Sequence, residues 1–204
     1  LMACRRLEDF YREPGSTDPQ SDPVSDPVLD PGPCLADLIR QADREILEKA
    51  LSDPELTGMG TTLSALLIRK NQAFIAHVGD SRIYRLRAGM LEQLSLDHTH
   101  VQELVDMGRL TRQEARTHHL RHVITHAVGT RKGFKDVFTL TEPVRPGDLY
   151  LLCSDGLHDM VGNQEIFTLL SAAGPVTEKC DRLVSTALEN GGRDNVTVVL
   201  AAVP

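Results

Sequence analysis

The stretch LYLLCSDG, Leu149 to Gly156, changes character abruptly after Cys153. The run from Leu149 to Cys153 is continuously apolar, which is typical of a strand buried on both faces. It ends in Ser154-Asp155-Gly156, residues that favour a turn. A carboxylate at the end of a core strand is costly unless hydrogen bonds, an ion pair, protonation or a metal compensates it. Asp155 is therefore the first candidate for a functional side chain.

The composition indicates one globular domain spanning residues 1–204. The 204 residues are 41% hydrophobic and 25% charged, with a net charge of -7 and a pI near 5.6. This balance argues against a nucleic-acid or anionic-membrane surface. No apolar run approaches the roughly 20 residues that span a bilayer, and the charged segment 1–13 does not resemble a signal peptide. Scattered cysteines without a CxxC pair predict free thiols in a reducing cytoplasm.

The first 34 residues form a separate region of the sequence. Leu1 to Arg12 is predicted to be the end of a helix. In the segment 14–34, Asp-Pro recurs at Asp18, Asp22, Asp26 and Asp30. Because each proline disfavours helix at the residue before it, this segment is predicted to be an extended linker loop. The regular carboxylates leave a calcium loop as an alternative, although the glycine turn and final Glu of such loops are absent.

Beyond the linker, the pattern predicts an α+β domain with mostly antiparallel sheets covered by helices. Helices are predicted at Leu35–Leu51, 164–171 and 176–189, with a helical insert over 98–122 in which Thr111 and Glu114 form a capping box. Strands are predicted at 62–69, 73–78, 82–87, 90–95, 137–140, 148–153 and 195–203.

Two further aspartates share the setting of Asp155. Asp80 follows a predicted strand in His77-Val78-Gly79-Asp80-Ser81-Arg82, and Asp194 precedes the last strand in Gly191-Gly192-Arg193-Asp194-Asn195. Each has glycine beside it, which allows close approach of backbone or ligand. Taken singly, each motif is more often only a turn. Together, the three carboxylates suit a hard cation such as Mg²⁺ or Mn²⁺.

Three other patterns remain as alternatives. His118, His122 and His126 have the spacing of zinc ligands on one helix face, but the β-branched residues between them favour strand there. His158 and Asp159 could form an acid-base pair, although a role in the loop or at a helix start is the preferred interpretation. Arg82, Arg85 and Arg87 are predicted to share one strand face, either as a solvated face or as a phosphate-binding patch.

Five ordered motifs resemble those of one enzyme family, the PPM-type (PP2C-like) serine/threonine protein phosphatases, in their bacterial branch. They are Gly58-Met59-Gly60-Thr61-Thr62, His77-Val78-Gly79-Asp80-Ser81-Arg82, Leu96-Asp97-His98-Thr99, Ser154-Asp155-Gly156-Leu157 and Gly192-Arg193-Asp194-Asn195-Val196-Thr197. The resemblance extends from about Leu35 to the end of the chain.

The resemblance implies a β-sandwich of two antiparallel sheets flanked by helices, with two Mn²⁺ or Mg²⁺ ions at one end. It implies that Asp155 and Asp194 are metal ligands, and that Asp80 helps hold a third, weaker metal. It also implies that residues 97–124 form a mobile flap that influences substrate choice. No catalytic side chain and no substrate-binding residue can be identified. His126 stands where bacterial members often carry Arg.

The family's segment that carries the bridging carboxylate, of Asp-Gly-Met/His-Gly-Gly type, is absent. The resemblance therefore implies either an N-terminally incomplete domain, which we expect because the chain starts on Leu1, or a natural inactive relative. On this basis the 204-residue chain alone is expected to bind metal poorly and to lack normal phosphatase activity, and normal Mn²⁺-dependent turnover by it would contradict this.

The function implied is hydrolysis of phosphoserine and phosphothreonine on proteins by a water that two metal ions activate. Phosphorylated proteins and a cognate Ser/Thr kinase are the implied partners, with no nucleic acid and no membrane. A non-catalytic pseudophosphatase that binds a phosphoprotein or a kinase is the alternative. A purely structural domain would leave the three aspartates unexplained.

Overall fold

The computed structural model describes residues 31–204, in which helices pack on the outer faces of two antiparallel sheets. The helices are α1 (Pro31–Ser52), α2 (His100–Asp106), α3 (Arg112–Thr117), α4 (Asp155–His158), α5 (Asn163–Ser171) and α6 (Val176–Glu189). The strands are β1 (Leu63–Arg69), β2 (Gln72–Val78), β3 (Arg82–Arg87), β4 (Met90–Gln93), β5 (Phe138–Pro143), β6 (Leu149–Cys153) and β7 (Val198–Ala202). The predicted α+β class and sandwich of two antiparallel sheets are confirmed.

The strand order is β1-β2-β5 in the first sheet and β4-β3-β6-β7 in the second. The apolar run that ends before Ser154 is β6, and it lies between β3 and β7 as a central strand. Tyr150 and Leu151 in this strand are fully buried. Because β6 is covered on both faces, its sequence shows no polar alternation.

The core consists of three layers of apolar contacts. One lies between α1 and the first sheet and includes Ile39 and Val78. A second lies between the two sheets and includes Ile75 and Tyr150. The third lies between the second sheet and helices α4 to α6, and includes Leu183. Burial on both sides of each sheet holds the strand ends in fixed positions.

Most predicted elements agree with the structure, and the differences have local causes. Helix α1 begins at Pro31, so residues 31–34 belong to a helix and not to the predicted linker; prolines are tolerated in a first helical turn because its N–H groups need no helical partner. The remaining linker residues and the predicted helix end at 1–12 lie outside the described residues. The last strand is shorter than predicted and starts at Val198.

The predicted helical insert at 97–124 contains two short helices, α2 and α3. The capping box at the start of α3 is confirmed: Glu114 N donates to Thr111 Oγ1 over 3.2 Å, and Thr111 N donates to Glu114 Oε2 over 2.8 Å. An isolated antiparallel bridge between Thr99 and Ile124 closes the insert at its base. The two ends of the insert are therefore paired with each other where it joins the sandwich.

The prediction that Arg82, Arg85 and Arg87 share one strand face was wrong. Positions 82 and 85 differ by an odd number of residues, so their side chains point to opposite faces of β3. Each arginine is engaged by carboxylates: Arg82 by Asp97, Arg85 by Glu92 and Glu142, and Arg87 by Asp148. The three side chains form structural ion pairs with these carboxylates and do not form the phosphate-binding patch considered above.

No helix within residues 31–204 is long and apolar enough to cross a membrane. The thiols of Cys34, Cys153 and Cys180 are free, and Cys153 is buried. Burial raises the pKa of Cys153 to about 12, which keeps this thiol protonated at neutral pH.

Candidate metal centre

The three aspartates lie just beyond strand ends at the same end of the sandwich: Asp80 and Asp194 are in loops, and Asp155 is the first residue of the short helix α4 in the connection after β6. In the first sheet, the start of β1 pairs with the end of β2, where Leu63 lies opposite Val78. In the second sheet, the end of β6 at Cys153 lies opposite both Arg82 at the start of β3 and Val198 at the start of β7. Only residues 79–81 connect β2 to β3, so the two sheets present these ends side by side.

Asp155 and Asp194 are held by loops that contact each other directly. The backbone N–H of Ser154 donates to Thr197 O over 3.1 Å, and the Ser154 hydroxyl donates to Asn195 O over 3.2 Å. The same hydroxyl accepts from Thr197 N over 3.0 Å. Ser154 therefore ties the end of β6 to the residues that follow Asp194.

Gly156 allows this close approach of the two loops. A Cβ atom at position 156 would overlap the carbonyl oxygen of Asn195 and lie 2.9 Å from its carbonyl carbon. Ordinary carbon–carbon contacts are about 3.5–4.0 Å, so only glycine fits here. The Asp155 carboxylate accepts from Gly156 N over 2.9 Å, and the Asp194 carboxylate accepts from Asn195 N over 2.7 Å. These bonds leave further oxygen lone pairs on both carboxylates.

Asp80 lies beside Asp155 in a buried position. Asp80 is 8% exposed to solvent. Burial raises the pKa of Asp80, the negative charge of Asp155 raises it further, and His158 acts in the opposite direction. Two neighbouring carboxylates repel each other unless a cation or a proton compensates them.

Asp80 is positioned by a tight contact between Thr62, which precedes β1, and the loop after β2. Gly79 has φ +116°, and a Cβ atom there would lie 2.5 Å from Thr62 Cβ. The hydroxyl groups of Thr62 and Ser81 are hydrogen-bonded over 2.9 Å. Glycine is required at position 79 for both its backbone conformation and its lack of a side chain.

The carboxylates of Asp80, Asp155 and Asp194 provide oxygen atoms of the type that Mn²⁺ and Mg²⁺ bind. None of the ion pairs within residues 31–204 joins any of them to a Lys or Arg side chain. Their chemistry therefore fits a divalent cation. In the same part of the chain, no three His, Cys, Asp or Glu side chains converge closely enough to form a metal site by themselves. The structure brings Asp80 next to Asp155, and it places Asp194 on the adjoining loop.

The base of the 97–124 insert is anchored to the residues that flank Asp80. His98 N donates to Gly79 O over 2.7 Å, and Gly79 N donates to His98 Nδ1 over 3.1 Å. Asp97 accepts hydrogen bonds from Arg82, the shortest being 2.7 Å from its terminal guanidinium nitrogen. The insert and the candidate site therefore share one hydrogen-bonded frame.

A histidine stack lies within this frame. The rings of His77 and His98 stack with centroids 5.3 Å apart, and His126 meets His98 edge-on at 5.0 Å. Burial lowers the pKa of His98 to about 4, and the neighbouring His77 and His126 contribute in the same direction. His98 must be neutral at Nδ1 in order to accept the hydrogen bond from Gly79.

The zinc alternative for His118, His122 and His126 is not supported by the geometry. Helix α3 ends at Thr117, so these three residues do not share a helix face. They are also not part of any three-ligand group within residues 31–204.

His158 and Asp159 do contact each other, which sequence reasoning did not favour. His158 Nδ1 lies 3.5 Å from one Asp159 oxygen, and His122 Nδ1 from the insert lies 3.1 Å from the other. Burial acts to raise the pKa of Asp159, but His158, His122 and Arg121 together lower it. The His158 side chain is 5% exposed, and its Nε2 lies 3.1 Å from Asp80 O. The sequence signal was the position of both residues one helical turn after Asp155.

The comparisons with known proteins agree with this geometry. A family model described as protein phosphatase 2C matches residues 2–200. Serine/threonine protein phosphatase PstP of Mycobacterium tuberculosis is 45% identical over 165 residues, which cover 81% of this chain and 32% of PstP. Serine/threonine phosphatase stp of Listeria monocytogenes is 39% identical over 166 residues, covering 81% of this chain and 66% of that protein. The chain thus spans less than two thirds of both curated relatives.

A crystal structure of the PstP catalytic domain in complex with two manganese ions has a similar fold. Its TM-score is 0.79 at 37% sequence identity, and the match covers 100% of this chain and 78% of that one. Because the identity is well above the level at which only the fold is shared, this similarity concerns the family as well as the architecture.

Proposed function

Because the chain belongs to the protein phosphatase 2C family, we propose that its protein hydrolyses phosphoserine and phosphothreonine in phosphorylated proteins. The support from relatives is that PstP and stp are named serine/threonine phosphatases. The observation that carries the proposal is the position of Asp80, Asp155 and Asp194 just beyond strand ends at one end of the sandwich, where no Lys or Arg within residues 31–204 forms an ion pair with them.

We propose that Asp155 and Asp194 are ligands of a pair of Mn²⁺ or Mg²⁺ ions, and that Asp80 contributes to a third, weaker site. The PstP catalytic domain binds two manganese ions. Such ions, when bound, supply an acidified water as nucleophile and neutralise charge on the phosphoryl oxygens. The cysteines are not required for this chemistry, and the buried thiol of Cys153 stays protonated.

The protein's own residues position these ligands. Ser154 and Gly156 keep the Asp155 loop against the Asp194 loop. Gly79 and the buried His158 hold the backbone on either side of Asp80. Ligands that are fixed before the cation binds lose little conformational entropy on binding, so this frame favours a preorganised site.

The test is the Mn²⁺-dependent release of phosphate from a phosphothreonine peptide. Asp155→Asn and Asp194→Asn should each reduce the rate by at least about 100-fold, because even residues that only support metal ligands contribute about 10–100-fold. Asp181→Asn on the exposed face of α6 removes the same charge away from the site and should leave the rate unchanged.

Wild-type rates in either ligand variant would contradict the assignment of Asp155 or Asp194. If wild-type protein binds the phosphopeptide but releases no phosphate at any Mn²⁺ concentration, the hydrolase proposal fails, and the non-catalytic phosphoprotein-binding alternative replaces it.

We further propose that the partners include a Ser/Thr kinase with opposing activity, and that the protein works in the cytoplasm. The free thiols of Cys34, Cys153 and Cys180 support a reducing compartment. Fractionation of cells, followed by co-precipitation with kinase candidates, tests both statements. Recovery of the protein only outside the cytoplasm would refute the second.

A further inference from the structure

The segment between the insert and β5 is unusually basic for this chain. Residues 130–135 read Thr-Arg-Lys-Gly-Phe-Lys, while the whole chain carries a net charge of -7. Arg131, Lys132 and Lys135 are exposed, and none of the ion pairs seen within residues 31–204 involves them. The acidic residue adjacent to them in the sequence is the exposed Asp136, and the Asp43 carboxylate accepts from the backbone of Gly129. These three cations are available to a partner.

The segment is a fixed turn and not a loose loop. Gly133 N donates to Thr130 O over 2.9 Å and to Thr130 Oγ1 over 3.2 Å, and the same hydroxyl donates to Ala127 O over 3.2 Å. Gly133 has φ +60°, a conformation that glycine adopts without strain. Phe134 packs against the core between α1 and the first sheet. Arg131 and Lys132 therefore form the tip of an anchored turn.

This turn is linked to the candidate metal centre by a series of direct contacts. Thr61 and Val128 exchange backbone hydrogen bonds of 2.9 and 2.8 Å. A Cβ atom at Gly60 would lie 2.6 Å from Thr130 Cγ2, so the turn rests directly on the residues that precede β1. The next residue, Thr62, contacts Gly79 and Ser81 on either side of Asp80. A short chain of direct contacts thus connects the basic turn to Asp80.

We propose that the turn 130–135 binds acidic residues that flank the phosphorylated residue of a protein substrate. This inference rests on the proposed function, and it assigns that function a preferred substrate class. Arginine and lysine bind carboxylates directly and also raise the encounter rate of negatively charged peptides. Because the three cations are exposed, the preference should be strongest at low salt and should weaken as salt screens it.

The experiment measures binding first, so that it does not depend on turnover. Fluorescein-labelled phosphothreonine peptides, flanked on both sides by three Glu, three Ala or three Lys residues, are titrated with the protein that contains residues 1–204. Fluorescence anisotropy is recorded at low and at high salt in the presence of Mn²⁺. We expect about three- to tenfold tighter binding of the Glu peptide than of the Ala peptide at low salt, the range that two or three exposed ion pairs provide.

The variant Arg131→Glu/Lys132→Glu should abolish or reverse this preference. The matched control is Arg69→Glu/Lys70→Glu, which makes the same charge change on the exposed turn at the far end of β1. The control should keep the preference, because its two cations are separated from the site by the length of the strand.

Absence of any preference for the Glu peptide, or an equal loss of preference in both double variants, would overturn the inference. Phosphate release from the same peptides separates it from the proposed function. If the Glu preference in binding depends on Arg131 and Lys132 but no peptide is hydrolysed, hydrolysis is refuted and the docking surface stands. If all peptides bind equally and are hydrolysed at equal rates, the docking surface alone is refuted.

Discussion

Replacing Gly156 by alanine tests whether the two aspartate loops contact each other as closely as the structure indicates. Gly156 lies in the short helix α4 with an ordinary backbone conformation. On helix propensity alone, alanine should stabilise the fold by about 1 kcal/mol. The tertiary contact acts in the other direction, since the new Cβ would overlap Asn195 O and lie 2.9 Å from the adjoining carbonyl carbon.

The size of the expected effect follows from these opposing contributions. Restoring a carbon–carbon separation of about 3.5 Å requires the loops to move apart by at least about 0.6 Å, and such overpacking costs about 1–3 kcal/mol. The movement also weakens the hydrogen bonds of Ser154 to Asn195 and Thr197, each of which is worth about 1 kcal/mol. After the helix-propensity gain is subtracted, Gly156→Ala should lower the free energy of unfolding by about 2 kcal/mol.

Urea unfolding followed by far-UV circular dichroism is the suitable assay, because the chain contains no tryptophan. A parallel Mn²⁺ titration should show about tenfold weaker binding, since the wider gap separates Asp155 from Asp194; this corresponds to about 1.4 kcal/mol. Gly162→Ala is the control: a Cβ there meets nothing within 4 Å, and the change should cost less than about 1 kcal/mol. Unchanged or increased stability of Gly156→Ala would refute the close contact.

Three further predictions concern pH and backbone geometry. Arg87 holds the pKa of Asp148 below its usual value. This ion pair therefore stabilises the fold fully above about pH 3.9, and its contribution is lost as the pH falls through the lower pKa of the folded state. Asp148→Asn should lower the free energy of unfolding by about 3 kcal/mol at pH 7 and remove that acid dependence in urea unfolding. Because the pKa of His98 is lowered to about 4, the contribution of its neutral ring to the stability of the fold is complete above about pH 6.5 and declines toward pH 4. An NMR titration midpoint of His98 near pH 6.5 would contradict this. Gly79→Ala should cost about 2–4 kcal/mol, because it combines a left-handed φ with overlap of Thr62, whereas Gly89→Ala, where nothing lies within 4 Å, should cost about 1 kcal/mol in the same assay.

The helices and strands could be predicted from local sequence, because the spacing of apolar residues along a segment reflects which of its faces is buried. The continuous apolar run 149–153 is a central strand, and the amphipathic pattern from Leu35 to Leu51 is helix α1. Proline marked a boundary less reliably, since Pro31 and Pro33 fit within the first turn of α1. Strand ends are rigid, so the position of Asp155 at the end of β6 could also be predicted.

The partners of charged side chains could not be predicted, because they come from residues distant in the chain. Arg82 forms an ion pair with Asp97 on the helix-covered side of the second sheet, whereas Arg85 forms an ion pair with Glu142 of the first sheet. A strand pattern shows which residues alternate, but the register and packing of two sheets decide what each residue meets.

The sequence by itself determined the α+β class and singled out Asp80, Asp155 and Asp194 as candidates, because apolar periodicity and glycine-flanked strand ends are local properties; their assignment as metal ligands came from the family resemblance and is a proposal. Only the tertiary structure decided that Asp80 lies beside Asp155, and that the basic turn at Arg131 rests on the residues leading to Asp80. The physical reason is the packing of the two sheets, which brings loops from distant parts of the chain to one end of the sandwich.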